Sequence, residues 1–381
     1  MPDAAGDAPA VLQVLPALAA GGVERGTLEI AEAQRAAGLR ALVASAGGPL
    51  VPALEEAGAR HHALPLRTKS PLGIWRNAGA LAALIRREGV RIVHARSRAP
   101  AWSALLAARR TGARLVTTYH GTYTEGVPGK RLYNSVMARG DRVIAISGFI
   151  AEHIRARHGT DPARIRVIPR GVDPARFDPG AVGPARVAAL RTAWGVPEGR
   201  PVVMLPGRLT RWKGGAVLVE AMARLRDRDA LALLVGGAEP RREGFRAELE
   251  ALIAARGLAG RVRLVGHAED MPAALLLADL VVHASTDPEA FGRTVIEAQA
   301  MRRPVIASDL GAPRETVEEA ATGWRVPPGD PAALAGAIGR ALALPAAERA
   351  AVGARARDAV LARYTTAAMQ RATLAVYREL L

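Results

Sequence analysis

Short apolar runs recur along the chain with helical segments between them. In the first half AVLQVLP, ALVAS, RIVHA, RLVTTY and RVIAIS are separated by patterns such as VERGTLEIAEAQRAAG and GIWRNAGALAALIRREG. The runs are too short for helices and the intervening segments carry helical periodicity, so the rhythm predicts βαβ units and a mostly parallel sheet. It pauses at PRGVDPARFDPGAVGPARV, where prolines and glycines break helix and strand alike. It then resumes with PVVMLPG, ALALLVGG, VRLVGH, LVVHAS and PVIAS.

A pause between two similar halves predicts two domains, and 381 residues exceed what one hydrophobic core usually organises. The expected boundaries are 1–172 for the first α/β domain and 183–364 for the second, with a linker over 173–182. The last apolar helix, 365–381, is expected to pack back onto the first domain. The apolar stretch around Pro272 to Ser285 is interrupted by Asp279 and too short for a bilayer, and the N-terminus lacks the basic start of a signal peptide. With no cysteine, disulfides and thiolate metal sites are excluded. A soluble, cytoplasmic protein is the expectation.

The net charge of +16 changes this picture only through its distribution. Only Lys69, Lys130 and Lys213 are lysines, so much of the excess is a general preference for arginine. From Arg60 to Arg114, however, twelve basic residues face a single acid, Glu88. That asymmetry predicts an anionic partner, either a phosphorylated acceptor or acidic lipid headgroups; a merely solvated basic face is the competing reading. Nucleic acid is not expected, because aromatics make up 4% and no basic run is interleaved with stacking residues.

In open α/β sheets ligands bind at the carboxyl ends of the strands. After AVLQVLP, Gly21 and Gly22 open a helix, where the backbone can approach a phosphate. GGVERG lacks the GxGxxG spacing, and a dinucleotide site is weakly supported. After PVVMLPG, Arg208 and Lys213 in GRLTRWKGG could straddle a pyrophosphate. After LVVHAS, the segment DPEAFGRTVIEAQA presents Glu289 on a turn, then a helix expected to begin near Phe291, with Glu297 on it. Two carboxylates so placed can hold hydroxyls on two sugars. The DRD triplet at Asp227–Asp229 ends a helical pattern and reads as a solvated helix end. His94 and His283 read as structural histidines.

EAFGRTVIE, with GRLTRWKGG upstream, the N-terminal glycine pair, TTYHG, VIPRGVD, VRLVGH and the stretch from GAPRETV to TGWRVPPGD, resembles the family 4 retaining glycosyltransferases of the GT-B fold. The resemblance runs from Val11 through the last helices. It implies two doubly wound Rossmann-like domains facing a cleft, the second binding the nucleotide sugar. It implies that Arg208 and Lys213 bind the donor diphosphate, Glu289 the transferred sugar and Glu297 the ribose. Phe291 and Gly292 would set the helix amides against the leaving group. Gly266 and His267 would border the base, Gly22 the phosphates, and His120 the donor sugar. Arg170 and Arg303 stand where relatives usually carry asparagine and glycine. No metal and no cofactor are implied beyond the nucleotide-sugar co-substrate.

HARSRAPAWSA with TTYHGTY further resembles transferases of bacterial lipopolysaccharide core assembly. The implied acceptor is therefore an anionic glycolipid or glycan, such as a lipid-linked or lipopolysaccharide-core species, met peripherally at the inner face of the cytoplasmic membrane. Transfer of a hexose from a UDP- or GDP-sugar would be a front-face displacement without a covalent nucleophile. A sugar-nucleotide sensor or scaffold that has lost turnover is the alternative, and a nicotinamide-dependent oxidoreductase lacks its fingerprint.

Overall fold

The computed structural model describes residues 8–19, 21–123, 125–225, 229–237 and 243–381. The chain divides into two compact units, Met1–Pro169 with Ala367–Leu381, and Arg170–Thr366. Both are Rossmann-like α/β structures built on a parallel sheet, as the strand rhythm predicts.

The first unit carries β1 (Ala10–Val14), β2 (Arg40–Ser45), β3 (Arg60–Ala63), β4 (Val90–Ala95), β5 (Arg114–Tyr119), β6 (Arg142–Ala145) and β7 (Ile165–Val167). They lie in the order β3-β2-β1-β4-β5-β6-β7, all neighbours parallel. Every residue of β1 is buried, which explains its unbroken apolar character: a central parallel strand has helices on both faces. The edge strands β3 and β7, RHHA and IRV, are half exposed and carry no such run.

The helix Pro71–Arg87 starts where Ser70 accepts a hydrogen bond from Gly73 N at 3.0 Å and proline takes the first turn, the preferred chemistry for an unpaired helix start. The final helix, Thr366–Arg378, buries Met369, Val376 and Tyr377 against Val11, Ile92 and Val116 of this first sheet. Burial of each such side chain contributes roughly 1.5–3 kcal/mol. Tyr377 Oη lies 2.7 Å from His94 Nδ1, and His94 Nε2 lies 2.6 Å from Thr118 Oγ1. His94 is thus a hydrogen-bonded core histidine.

The second unit carries β8 (Val202–Pro206), β9 (Leu231–Val235), β10 (Val262–Gly266), β11 (Leu280–His283), β12 (Val305–Ser308) and β13 (Gly323–Val326). Their order is β10-β9-β8-β11-β12-β13, again parallel throughout. The strand order reverses between β8 and β11, and such a switch point leaves a crevice beyond the carboxyl ends of the two strands.

The segment 173–182, expected as a linker, is packed into the second unit. Phe177 is buried, and Arg357 donates to Phe177 O at 2.8 Å and to Asp178 Oδ1 at 3.1 Å. An apolar anchor and a largely covered guanidinium explain why proline and glycine here shape a bound strap. Of the DRD triplet, Asp227 lies outside the described residues, while Asp229 is exposed to solvent and pairs with Arg200 at 2.9 Å. Among the described residues no helix is long and apolar enough to cross a membrane.

Candidate functional site

The loop after β8 and the loop after β11 meet at the switch point of the second unit. Gly207 and Arg208 leave β8, a single 3-10 turn follows over Arg211–Lys213, and Gly214 turns the chain into the helix Gly215–Arg224. Gly214 has φ 75°, and a Cβ there would fall 1.8 Å from Ala284 O. Only glycine lets the two loops touch, and that contact brings Lys213 across to Glu289. Lys213 Nζ donates to both carboxylate oxygens, at 2.7 and 2.9 Å, and stands 4.4 Å above the Trp212 ring.

Glu289 is held from behind by a third loop. Its carbonyl accepts from Ala312 N at 3.0 Å, and it bridges to Gly311. Gly311 has φ 68°, and a Cβ at that position would lie 2.5 Å from Glu289 O. The GAPRETV motif is therefore a clamp on the Glu289 backbone. His283, the last residue of β11, places Nε2 3.7 Å from Glu289 Oε2 and 3.4 Å from Ser285 Oγ. Burial pushes the Glu289 carboxyl up, but the neighbouring His283 and the Lys213 ammonium outweigh it and hold the group down to about 2. At neutral pH Glu289 is an ionised acceptor with a cation already in contact.

The helix carrying Glu297 spans Arg293–Ala300, so it starts two residues later than expected. Gly292, at φ 82°, forms its N-cap, and Phe291 is buried edge-on against Tyr364 with ring centroids 5.9 Å apart. A buried aromatic before a left-handed glycine fixes where the helix begins, so the amides that lead it are those of Arg293 and Thr294. Glu297 lies four residues beyond Arg293, whose Nε is 3.7 Å from Glu297 Oε1. Arg208 is exposed on the same loop as Lys213, Gly266 ends β10 and the exposed His267 follows it. Among the described residues no group of three or more His, Asp or Glu is gathered as a metal site.

The remaining expected site residues belong to the first unit. Gly22 begins the helix Gly22–Ala36 after β1. His120 follows β5 and is half-buried; its chain neighbour Tyr119 stacks on Tyr123 with ring centroids 4.7 Å apart, and Tyr119 Oη lies 3.1 Å from His158 Nε2. Burial pushes the Tyr123 phenol up to about 12, against the nearby Arg98 guanidinium. The twelve basic residues from Arg60 to Arg114 do not form one surface. Arg96 is buried and donates to Gln13 Oε1 at 2.7 Å, and Arg98 donates to Asn134 Oδ1 at 2.8 Å. Charge counting along a sequence cannot separate an inward arginine from an outward one.

Residues 20–176 match the model for Glycosyltransferase Family 4, and residues 187–359 match that for Glycosyl transferases group 1. A crystallised glycosyltransferase from Rickettsia africae is 37% identical, with TM-score 0.91 over 98% of this chain and 99% of that one. The chain belongs to the glycosyltransferases. The Anabaena protein HepE, solved in complex with UDP and glucose, is 25% identical to this glycosyltransferase with TM-score 0.86, covering 98% of this chain and 100% of that one. A D-inositol 3-phosphate glycosyltransferase of Salinispora tropica is 38% identical over 231 residues, 58% of this chain. The match spans 47% of that relative, about half its length.

Sequence reasoning missed His283 and Arg293 as parts of this site. The signal for His283 was its position: the last residue of the strand at the switch point. Arg293 could have been found from its i, i+4 spacing to Glu297.

Proposed function

We propose that this glycosyltransferase moves a hexosyl group, with retention of configuration and without a metal ion, from a UDP- or GDP-sugar to an anionic acceptor. The observation that carries the reading is the Lys213–Glu289 pair, 2.7 Å long and at the switch point of the second sheet. Lys213 and Arg208 bind the donor diphosphate, assisted by the amides of Arg293 and Thr294 behind Gly292. Phe291 acts by fixing that turn. Glu289 holds hydroxyls of the transferred sugar, Glu297 the ribose, and the Gly266–His267 loop borders the base. From the first unit, His120 serves the donor sugar and Gly22 the phosphates.

In the reaction the bond from the anomeric carbon to the diphosphate oxygen breaks, and both electrons stay on the diphosphate. Lys213 and Arg208 stabilise that growing negative charge, while ionised Glu289 stabilises the positive ring. The acceptor hydroxyl attacks the vacated face, and its proton passes to a departing phosphate oxygen. UDP in HepE favours the uridine nucleotide. Incubation with α-linked UDP- and GDP-sugars in EDTA, followed by NMR, tests the reading even without acceptor. Slow release of nucleoside diphosphate with the α-anomer of the free sugar appearing first is the expected result. Release of the β-anomer first would make the enzyme inverting. Absence of release from every donor would favour the sensor, and activity restored only by Mn²⁺ would refute metal independence.

The acceptor proposed is a lipid-linked or lipopolysaccharide-core glycan carrying phosphate, met by peripheral contact with the inner face of the cytoplasmic membrane. The inositol phosphate in the name of the Salinispora relative supports an anionic acceptor of either size. On the helix Pro71–Arg87, Leu72 and Trp75 are 57% and 59% exposed beside Lys69 and Arg76, a mixture suited to an anionic interface. The full chain should sediment with anionic vesicles at low salt and less so at 0.15 M ionic strength, where screening acts beyond about 8 Å. No sedimentation at low salt would remove the membrane from the proposal.

A further inference from the structure

At the opposite end of the second sheet, before β11 and β12 begin, lies a cavity of about 590 Å³. Its lining includes Arg302, Arg303, Arg349 and Asp279. Three guanidiniums against one carboxylate leave an excess of two positive charges. The carboxylate is already engaged, since Asp279 Oδ2 accepts from Val202 N at 2.8 Å and lies 3.9 Å, through Oδ1, from Arg349. Alanines 346, 347, 350 and 351 form much of the remaining wall and are too short to reach the cations.

Arg302 is the decisive residue. It follows the helix Arg293–Ala300 at the position that turns left-handed, φ 55°, where glycine is the usual occupant. An arginine there is strained, and its carbonyl is covered so closely that a Cβ on Gly353 would come within 2.2 Å of it. The helix end does not require this cation, because Arg303 already donates to Met301 O at 3.1 Å and to Ala278 O at 2.9 Å. Among the described residues nothing bonds to the Arg302 guanidinium. Burial and the nearby Arg349 both disfavour charge on Arg303, with Asp279 opposing them, so an anion in the cavity would relieve the cluster.

We infer that this cavity is a second binding site, separate from Lys213 and Glu289, for a compact soluble dianion of the phosphate-monoester class. Arg302 and Arg349 grip the phosphate, and Arg303 sets the floor. This goes beyond the transfer reaction and does not depend on it.

Calorimetric titration of the full chain with inorganic phosphate, and separately with glucose 6-phosphate, tests the site. Saturable binding of both is expected. Arg302→Gly removes the charge, suits the left-handed backbone and should preserve or raise the melting temperature. Arg302→Gly and Arg349→Gln should each weaken binding about tenfold or more, the fold-change of one charged contact. The double variant Lys213→Ala with Glu289→Gln, which leaves no charge unpaired in the first site, should leave phosphate binding intact. No saturable binding to the wild type at millimolar phosphate overturns the proposal. So does undiminished binding in both arginine variants, or loss of binding in that folded double variant, which would place the phosphate at the donor site.

Discussion

Glu289→Gln should lower kcat by about a hundredfold or more, on the order of 3 kcal/mol, while the nucleoside diphosphate binds as well as before or better. The reasoning starts from the ion pair. Lys213 faces Glu289 at 2.7 and 2.9 Å, so a donor phosphate must compete with that carboxylate for the ammonium. Glutamine keeps the shape and removes the competitor, leaving Lys213 more available to phosphate. What it cannot supply is the negative charge that stabilises the ring as positive charge develops, and an interaction strongest in the transition state appears in turnover. Glu297→Gln is the contrast. The ribose does not change during reaction, so that variant should raise the donor KM more than it lowers kcat, and should weaken the free diphosphate too. Kinetics of both variants, with calorimetry of the free diphosphate, check the assignment. Normal turnover in Glu289→Gln, or wild-type diphosphate affinity in Glu297→Gln, would remove the corresponding role.

Lys213→Ala should be the more damaging change to stability. It strands a buried carboxylate, and breaking such a pair from one side costs about 3–5 kcal/mol. It should also weaken the donor diphosphate by about 1.5–3 kcal/mol, the worth of one charged contact. The pH dependence follows from the Glu289 carboxyl, at about 2 in the folded protein against an ordinary value of 4.5. A depressed carboxyl contributes stability that is fully present above 4.5 and is lost as pH falls through 2. The stability gap between wild type and Lys213→Ala should therefore be widest near neutral pH and narrow below 4.5. Denaturant titrations at several pH values measure it. The double variant Lys213→Ala with Glu289→Gln should recover much of the loss, because no charge is left unpaired. A single variant as stable as wild type, or a double variant no better than the single, would show that the pair carries no such coupling.

The central strands were legible because burial on both faces demands continuous apolar sequence, as in β8 and β9. The edge strands β3 and β7 were not, because half-exposed backbone pairs without demanding apolar side chains. For the same reason the strap through Phe177 read as a linker: one buried ring among prolines leaves no periodicity. The glutamate and lysine of the site stood out by local context. Their contact did not, since they are 76 residues apart and meet only through the order of β8 and β11. His283 looked structural because a histidine inside an apolar run usually is. Arg96 was counted as surface charge because nothing along the chain marks it as facing Gln13.

The return of Ala367–Leu381 to the first unit has a consequence for synthesis. On the ribosome the first sheet emerges before the second unit, yet the helix that covers Val11, Ile92 and Val116 is made only after that whole unit. While nearly 200 intervening residues, Arg170–Thr366, are translated, that apolar face waits without its final cover. Chaperone engagement during translation is thus expected to centre on the first sheet and to end only once that helix has emerged. Ribosome profiling of bound chaperones would register this as occupancy persisting past residue 366, whereas occupancy ending near residue 170 would mean the sheet is protected without its helix.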